Sequence, residues 1–310
     1  MRLLLFFLFL ILNNTSWAQL NSDTLVLSAA DSIQLTELPE IPAITITPDL
    51  PPAELDRKPF AFVTNVPSDL WQMAKTPFKK KSLTGLVVTA AASALIIPFD
   101  QQLLDGTRNF MDRIHLLQDA EYINAIKIGD TKLLKIPKNV TAGFYMLGEG
   151  SISMAIAGGL YLYGKIEKDK RAIHTAADLT ETFLTMGIST QIIKRITGRE
   201  SPFVATARGG KWRPFPSFKN YQNHTSNYDA FPSGHLATMM ATVTTLALNY
   251  PSNKLIKPIG YTIMGLTSLA MINNNVHWVG DYPLALALGY ISAKITYLRN
   301  HPPPKKQVQL

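Results

Sequence analysis

The chain has 310 residues, 30 Lys and Arg against 22 Asp and Glu for a formal charge of +8, and no cysteine. The missing thiols exclude disulfides and cysteine-ligated metal sites. The basic balance suits an anionic substrate or an anionic lipid surface; with neither zinc-finger spacing nor an RNA-binding aromatic motif, nucleic acid is set aside as a partner.

Met1-Arg2, the apolar run Leu3 to Leu12 and then Ser16-Trp17-Ala18 have the basic, apolar and small-residue parts of a secretory signal. Residues 1–18 are read as that signal, with an uncleaved membrane anchor as the alternative. Residues 19–59 are rich in Pro, Thr and acidic side chains, as in ELPEIPAITITPDLPPAEL, and show no helical period, which predicts an extended linker. A folded domain is expected over 60–300, followed by a basic tail, 301–310.

Within that domain apolar helical stretches alternate with polar turns. Ser82 to Phe99 is the most membrane-like. Asn139 to Tyr163 is long and contains Glu149. Ile173 to Gly198 is amphipathic and carries His174, Asp178 and Glu181. His235 to Tyr250, Leu255 to Ile272 and Tyr282 to Leu298 follow, and the region from Asp100 to Lys138 is expected to hold at least one polar helix. Six apolar helices with little strand signal predict an all-α bundle. Several approach the roughly 20 apolar residues needed to cross a bilayer, but the third does not, so spanning helices and a soluble bundle both stay open.

Three places carry chemistry. The third helix ends in Lys194-Arg195-Ile196-Thr197-Gly198-Arg199-Glu200-Ser201-Pro202, the fourth begins with Pro232-Ser233-Gly234-His235, and the fifth runs out at His277-Trp278-Val279-Gly280-Asp281. Ser233 is a good N-cap, and the free N–H groups and positive dipole end behind it form a natural phosphate site. Helix four leaves from His235 and turns at Tyr250-Pro251-Ser252-Asn253, and helix five returns to His277. An up-and-down pair therefore brings both histidines to one end of the bundle, and an antiparallel third helix delivers Lys194 and Arg199 there. A basic pocket with two histidines suits phosphoryl transfer through a histidine nucleophile.

These residues resemble the type 2 phosphatidic-acid phosphatase superfamily, which shares its fold with vanadium haloperoxidases. The family pattern is Lys, six residues, Arg-Pro; then Pro-Ser-Gly-His; then Ser-Arg, five residues, His, three residues, Asp. The resemblance implies an acid-phosphatase/haloperoxidase-like helical bundle that needs no metal and no cofactor. It implies that His277 is the nucleophile, that Asp281 orients it and that His235 is the general acid and base. Ser233 and the N–H groups of Gly234 and His235 would hold phosphate oxygens beside the fixed charge of Lys194.

Two positions depart from the pattern. Ser201 stands where the first motif has Arg, and Ala270-Met271 where the third has Ser-Arg. Serine and methionine cannot replace planar, bidentate guanidinium contacts. The clamp is expected to be rebuilt chiefly from Arg199, with Arg195 or the loop cations Arg208, Lys211 and Arg213 as substitutes. The loop from Ser201 to Phe231 is long enough for a lid.

The function read from this pattern is hydrolysis of a phosphate monoester or diphosphate, above all a lipid phosphate, through a phosphohistidine. The alternative is a lapsed envelope protein that binds phosphorylated lipid or a partner; halide oxidation is set aside because vanadate needs the same missing arginines. The partners expected are a phosphorylated lipid or small phosphate ester and a membrane. Basic residues Lys79 to Lys81, Lys165 to Arg171, Lys254, Lys257 and Arg299 mark the far helix ends. The positive-inside rule then faces the histidines toward the periplasm or exterior of the cell envelope.

Overall fold

A computed structural model describes residues 58, 60–116, 120–128 and 131–302. The signal segment, nearly all of the linker and the tail from 303 lie outside the described residues. Nine helices of eight or more residues are present among those described: α1 (Val66–Lys75), α2 (Leu83–Ile96), α3 (Asp100–Arg113), α4 (Val140–Leu147), α5 (Gly150–Ile166), α6 (Lys170–Thr197), α7 (Gly234–Asn249), α8 (Ile256–Asn273) and α9 (Tyr282–Asn300). The fold is all-α.

The sequence reading differs from this in three ways. α1 lies before the first apolar segment. The long 139–163 segment breaks into α4 and α5 at Gly148-Glu149, where Glu149 is extended (φ −70°, ψ 144°). Packing at the break leaves no room for a side chain, since a Cβ on Gly148 would lie 2.9 Å from the His235 side chain. Finally, after the expected polar helix α3 comes a two-stranded antiparallel hairpin, β1 (Tyr122–Ile128) and β2 (Thr131–Pro137), in place of further helix.

α6 is the axis of the bundle, packing against α1, α5, α7 and α9. It starts at Asp169, whose side chain accepts from the Ala172 N–H at 3.2 Å, an N-cap. It stops at Gly198 in the left-handed region (φ 59°), with the Gly198 N–H returning to the Lys194 carbonyl at 2.8 Å. Only glycine fits there, because a Cβ would lie 1.8 Å from the Arg213 carbonyl oxygen. α7 and α9 also approach closely across Gly289, where a Cβ would lie 2.3 Å from the Ala237 carbonyl oxygen.

α6 buries polar residues beside apolar ones such as Leu179 and Met186. Thr175, Asp178, Glu181, Thr182, Thr185, Ser189, Thr190 and Lys194 are buried, while Ile188, Ile192 and Ile196 are exposed. Burial of hydroxyls is tolerable where they bond their own helix: Thr175 donates to the Arg171 carbonyl and Ser189 to that of Thr185, both at 2.8 Å. The apolar core lies on the other side of these groups, around Leu236, Ala237, Met271, Ile272, Trp278 and Ala285. Burying each of the larger ones stabilises the fold by about 1.5–3 kcal/mol.

α2 is apolar on all sides and largely exposed, with only Ser93 buried. It continues through Ile97–Phe99 into α3, and Leu83–Arg113 is the one stretch among the described residues long and apolar enough to cross a membrane. At the end of the bundle away from His277, Arg299 bonds Asp69 of α1 at 2.6 Å, and His301 and Asn300 bond Asp178 at 2.8 and 2.9 Å.

Candidate active site

The N-terminus of α7 and the turn before α9 are tied together by the Ser233 N–H, which donates to the Asp281 carbonyl at 3.1 Å. This bond brings the second and third motifs side by side. Ser233 caps α7, its Oγ accepting from the Leu236 N–H at 3.4 Å. The His235 and His277 rings then lie 6.0 Å apart, edge to face at 71°. Lys194 enters from the last turn of α6, its Nζ 3.8 Å from where a Cβ on Gly234 would lie. Lys194, Ser233, Gly234, His235, His277 and Asp281 are thus brought to one end of the bundle.

Burial, followed by the neighbouring His277 and Lys194 charges, lowers the pKa of His235 to about 3. The ring packs on Tyr145 at 4.5 Å, and its Nε2 is closed off from water with no hydrogen-bond partner among the described residues. His277 is buried, with Nδ1 3.5 Å from Asp281 Oδ2, too long for a hydrogen bond. Both Asp281 oxygens are engaged elsewhere. Oδ2 accepts from the Trp278 N–H at 2.8 Å, and Oδ1 accepts from Arg199 Nη1 at 2.6 Å.

Arg199 corrects an expectation. Its guanidinium is wholly buried and bridges two carboxylates, Asp281 on Nη1 and Asp100 on Nη2, both at 2.6 Å. Nε and Nη2 also donate to the Gly209 carbonyl, at 3.3 and 2.7 Å, and the plane sits between the Trp212 and Trp278 rings. Four of its five N–H donors are thereby committed within the protein. Arg195 is not in the pocket either: it donates to Gln191 and lies over the Tyr221 ring at 4.2 Å. Arg213 is paired with Glu200 at 2.5 Å. Arg208 and Lys211 are exposed and form no ion pair among the described residues. They flank Gly209 and Gly210, which rest on Arg199 and Trp278 respectively.

The two departures from the motif are built into the core. Met271 is fully buried with its sulfur 3.6 Å from Ser233 Oγ, and Ser201 is buried with its N–H on the Ser226 carbonyl at 2.9 Å. Sequence reasoning missed Asp100 and Asp229. Asp100 starts α3, accepts the Gly280 N–H at 2.7 Å and holds Arg199. Asp229 accepts from Lys194 Nζ through its carbonyl at 2.5 Å, with its carboxylate 3.6 Å away. Neither stands in a recognisable motif; Asp229 sits four residues before Ser233, and Asp100 is distant in sequence from every other site residue. No group of three or more His, Asp or Glu among the described residues is arranged to hold a metal ion.

The PAP2 superfamily matches this chain over residues 175–302, the stretch that holds all three motifs. Residues 175–302 are a PAP2 superfamily domain. The match takes in α6 from its second turn through α9; α1 to α5 lie outside it. A similar protein is a lipid A 1-phosphatase of Porphyromonas gingivalis, 34% identical over 70 residues. That stretch is 22% of this chain and 16% of the relative, so the chain spans about a sixth of the relative's length in the match. No solved structure matches the chain.

Proposed function

We propose that the PAP2 domain is a phosphatase that cleaves a phosphate monoester or diphosphate, with a lipid phosphate as the preferred substrate. In the first step His277 attacks phosphorus. The bond from phosphorus to the ester oxygen breaks, its electrons go to that oxygen, and His235 supplies the proton. In the second step water attacks the phosphohistidine, His235 takes the water's proton, and inorganic phosphate leaves. The observation that carries the reading is the pair of histidine rings 6.0 Å apart at the capped N-terminus of α7, with Lys194 beside them. Burial keeps His235 neutral, and a phosphate dianion beside it favours its charged form, so substrate itself arms the acid.

Phosphate contacts in this mechanism come from Lys194, Ser233, the first N–H groups of α7, and Arg208 or Lys211 from the loop. The apolar outer face of α6 and the stretch Leu83–Arg113 support membrane association in the cell envelope, with the histidines away from the cytoplasm.

A second reading, binding of a phosphorylated lipid without turnover, is favoured by the neutral, buried residues Ser201 and Met271 at the two motif positions that carry arginine in the family. Phosphate release by purified protein decides between the two. His277→Ala should abolish release and any acid-labile phosphoenzyme, and His235→Ala should slow it by ~10²–10⁴-fold. Phosphate-dependent lipid binding with no release in the wild type would select the second reading.

A further inference from the structure

Asp100 is the first residue of α3 and is wholly buried. A carboxylate in the first turn of a helix is ordinarily held by the free N–H groups and positive dipole end of that turn. Here both oxygens accept from outside α3. Oδ1 takes the Gly280 N–H at 2.7 Å, and Oδ2 takes Arg199 Nη2 at 2.6 Å. The approach needs glycine, since a Cβ on Gly280 would lie 2.7 Å from Asp100 Oδ2 and 2.7 Å from Ile97 Cγ1. The junction of α2 and α3 is thus pressed against the turn that carries His277 and Asp281.

Both contacts lead to Asp281. Gly280 precedes it in the chain, and Arg199 Nη1 donates to its Oδ1 at 2.6 Å. The Trp278 N–H fixes Oδ2 at 2.8 Å. With Oδ1 taken, Oδ2 is the oxygen that faces His277 Nδ1, at 3.5 Å. Nδ1 has no hydrogen-bond partner among the described residues. When the other ring nitrogen bonds to phosphorus, positive charge spreads to Nδ1, and Oδ2 is the carboxylate oxygen within reach of it. Arg199 lies between two carboxylates, so Asp100 sets how far the guanidinium reaches toward Asp281. Stability alone does not account for such a bridge, because apolar residues of similar volume often replace a buried ion pair without loss.

We propose that Asp100 is a positioning residue for His277: through Arg199 and Gly280 it fixes which oxygen of Asp281 faces the histidine's Nδ1. The inference rests on the phosphatase reading and adds a residue from outside the PAP2 domain at 175–302. That residue comes from Leu83–Arg113, the stretch long and apolar enough to cross a membrane, so the segment before the domain completes its site.

Asp100→Asn keeps the size of the side chain and an acceptor for Gly280, and removes the charge that holds Arg199. Phosphate release by the full chain should lose about 10²-fold in kcat, the scale of a misplacement of about 1 Å. KM should stay within about twofold, because Asp100 touches no substrate. Partial unfolding would also lower kcat, so two further readouts separate the roles. In an Asp281→Asn background, Asp100→Asn should cost less than about twofold more, because the oxygen it positions is gone. Nitrogen NMR of the histidine-labelled chain, with His277→Gln to assign the signal, should show His277 as the Nδ1–H tautomer in the wild type and a mixture of tautomers in Asp100→Asn. Equal losses in the two backgrounds, or a His277 signal that Asp100→Asn leaves unchanged, would overturn the proposal. If Asp100→Asn does not fold, Gly280→Ala takes its place in both readouts, since it pushes a Cβ onto Asp100 and keeps every charge. If the wild type releases no phosphate, the phosphatase reading fails, and the tautomer comparison alone decides whether Asp100 positions His277.

Discussion

Arg199→Met removes the guanidinium that holds Asp100 and Asp281 apart and leaves two wholly buried carboxylates near one another. Each lost contact is 2.6 Å long. At an effective dielectric of about 20, such a contact is worth roughly 6 kcal/mol of Coulomb attraction before desolvation is subtracted. Breaking a buried pair by deleting one partner costs about 3–5 kcal/mol in practice. Against a total stability of ~5–15 kcal/mol, this loss brings the domain close to unfolding. Adding Asp100→Asn to Arg199→Met removes one of the stranded charges and should recover part of the loss, so the double variant is more stable than the single one. Denaturant unfolding of the detergent-solubilised chain, followed by circular dichroism, measures both. If Arg199→Met unfolds within about 0.5 kcal/mol of the wild type, the bridge is not what the arginine is for. Loss of phosphate release with unchanged unfolding would restore Arg199 as a phosphate ligand.

Two further outcomes depend on protons. Burial, then the hydrogen bond and charge of Asp69, push the Glu181 pKa from 4.5 up to about 8, against the pull of Asn300 and Asn65. Between those values the folded chain keeps a proton that the unfolded chain releases, so stability falls as pH rises through that window and levels off above it. Glu181→Gln should abolish this slope in pH-dependent unfolding, and an unchanged slope would refute the assignment. His235, with its pKa lowered to about 3 chiefly by burial, is neutral at pH 6.5. Sulfate, a dianion that does not titrate near neutrality, should therefore bind at pH 6.5 with uptake of about one proton, seen by calorimetry in buffers of different ionisation enthalpy. The same uptake in His235→Gln would assign the proton to another group.

Much of the scaffold is written in local sequence. Ser233 before an apolar run predicts the start of α7, and Gly198 after Lys194-Arg195 marks the end of α6. The apolar run read as Leu255 to Ile272 is matched by α8, which ends at Asn273. These are decisions of backbone dihedrals, caps and helical period, which a few neighbouring residues make on their own. The same reading brought His235 and His277 to one bundle end, because antiparallel neighbours joined by a short turn have little other choice, and Lys194 follows from an antiparallel α6.

What local sequence could not decide is which partner each charge takes. Arg199 has the position and chemistry of a phosphate ligand, and only the packing of α3 against the turn at Gly280 puts Asp100 within 2.6 Å of it. Gly148 is likewise kept free of a side chain by His235, distant in the chain, and the hairpin after α3 had no signal in the sequence reading. Amphipathicity specified that α6 has two faces but not which of them turns inward. That depends on whether the buried hydroxyls and carboxylates find partners across the bundle and whether the isoleucines find an apolar surrounding outside it. Caps and periods act over a few residues of chain, but ion pairs and burial act through space. The sequence by itself therefore determined the helices and the histidine pair, and tertiary structure alone decided the Asp100–Arg199–Asp281 bridge and which face of α6 turns inward.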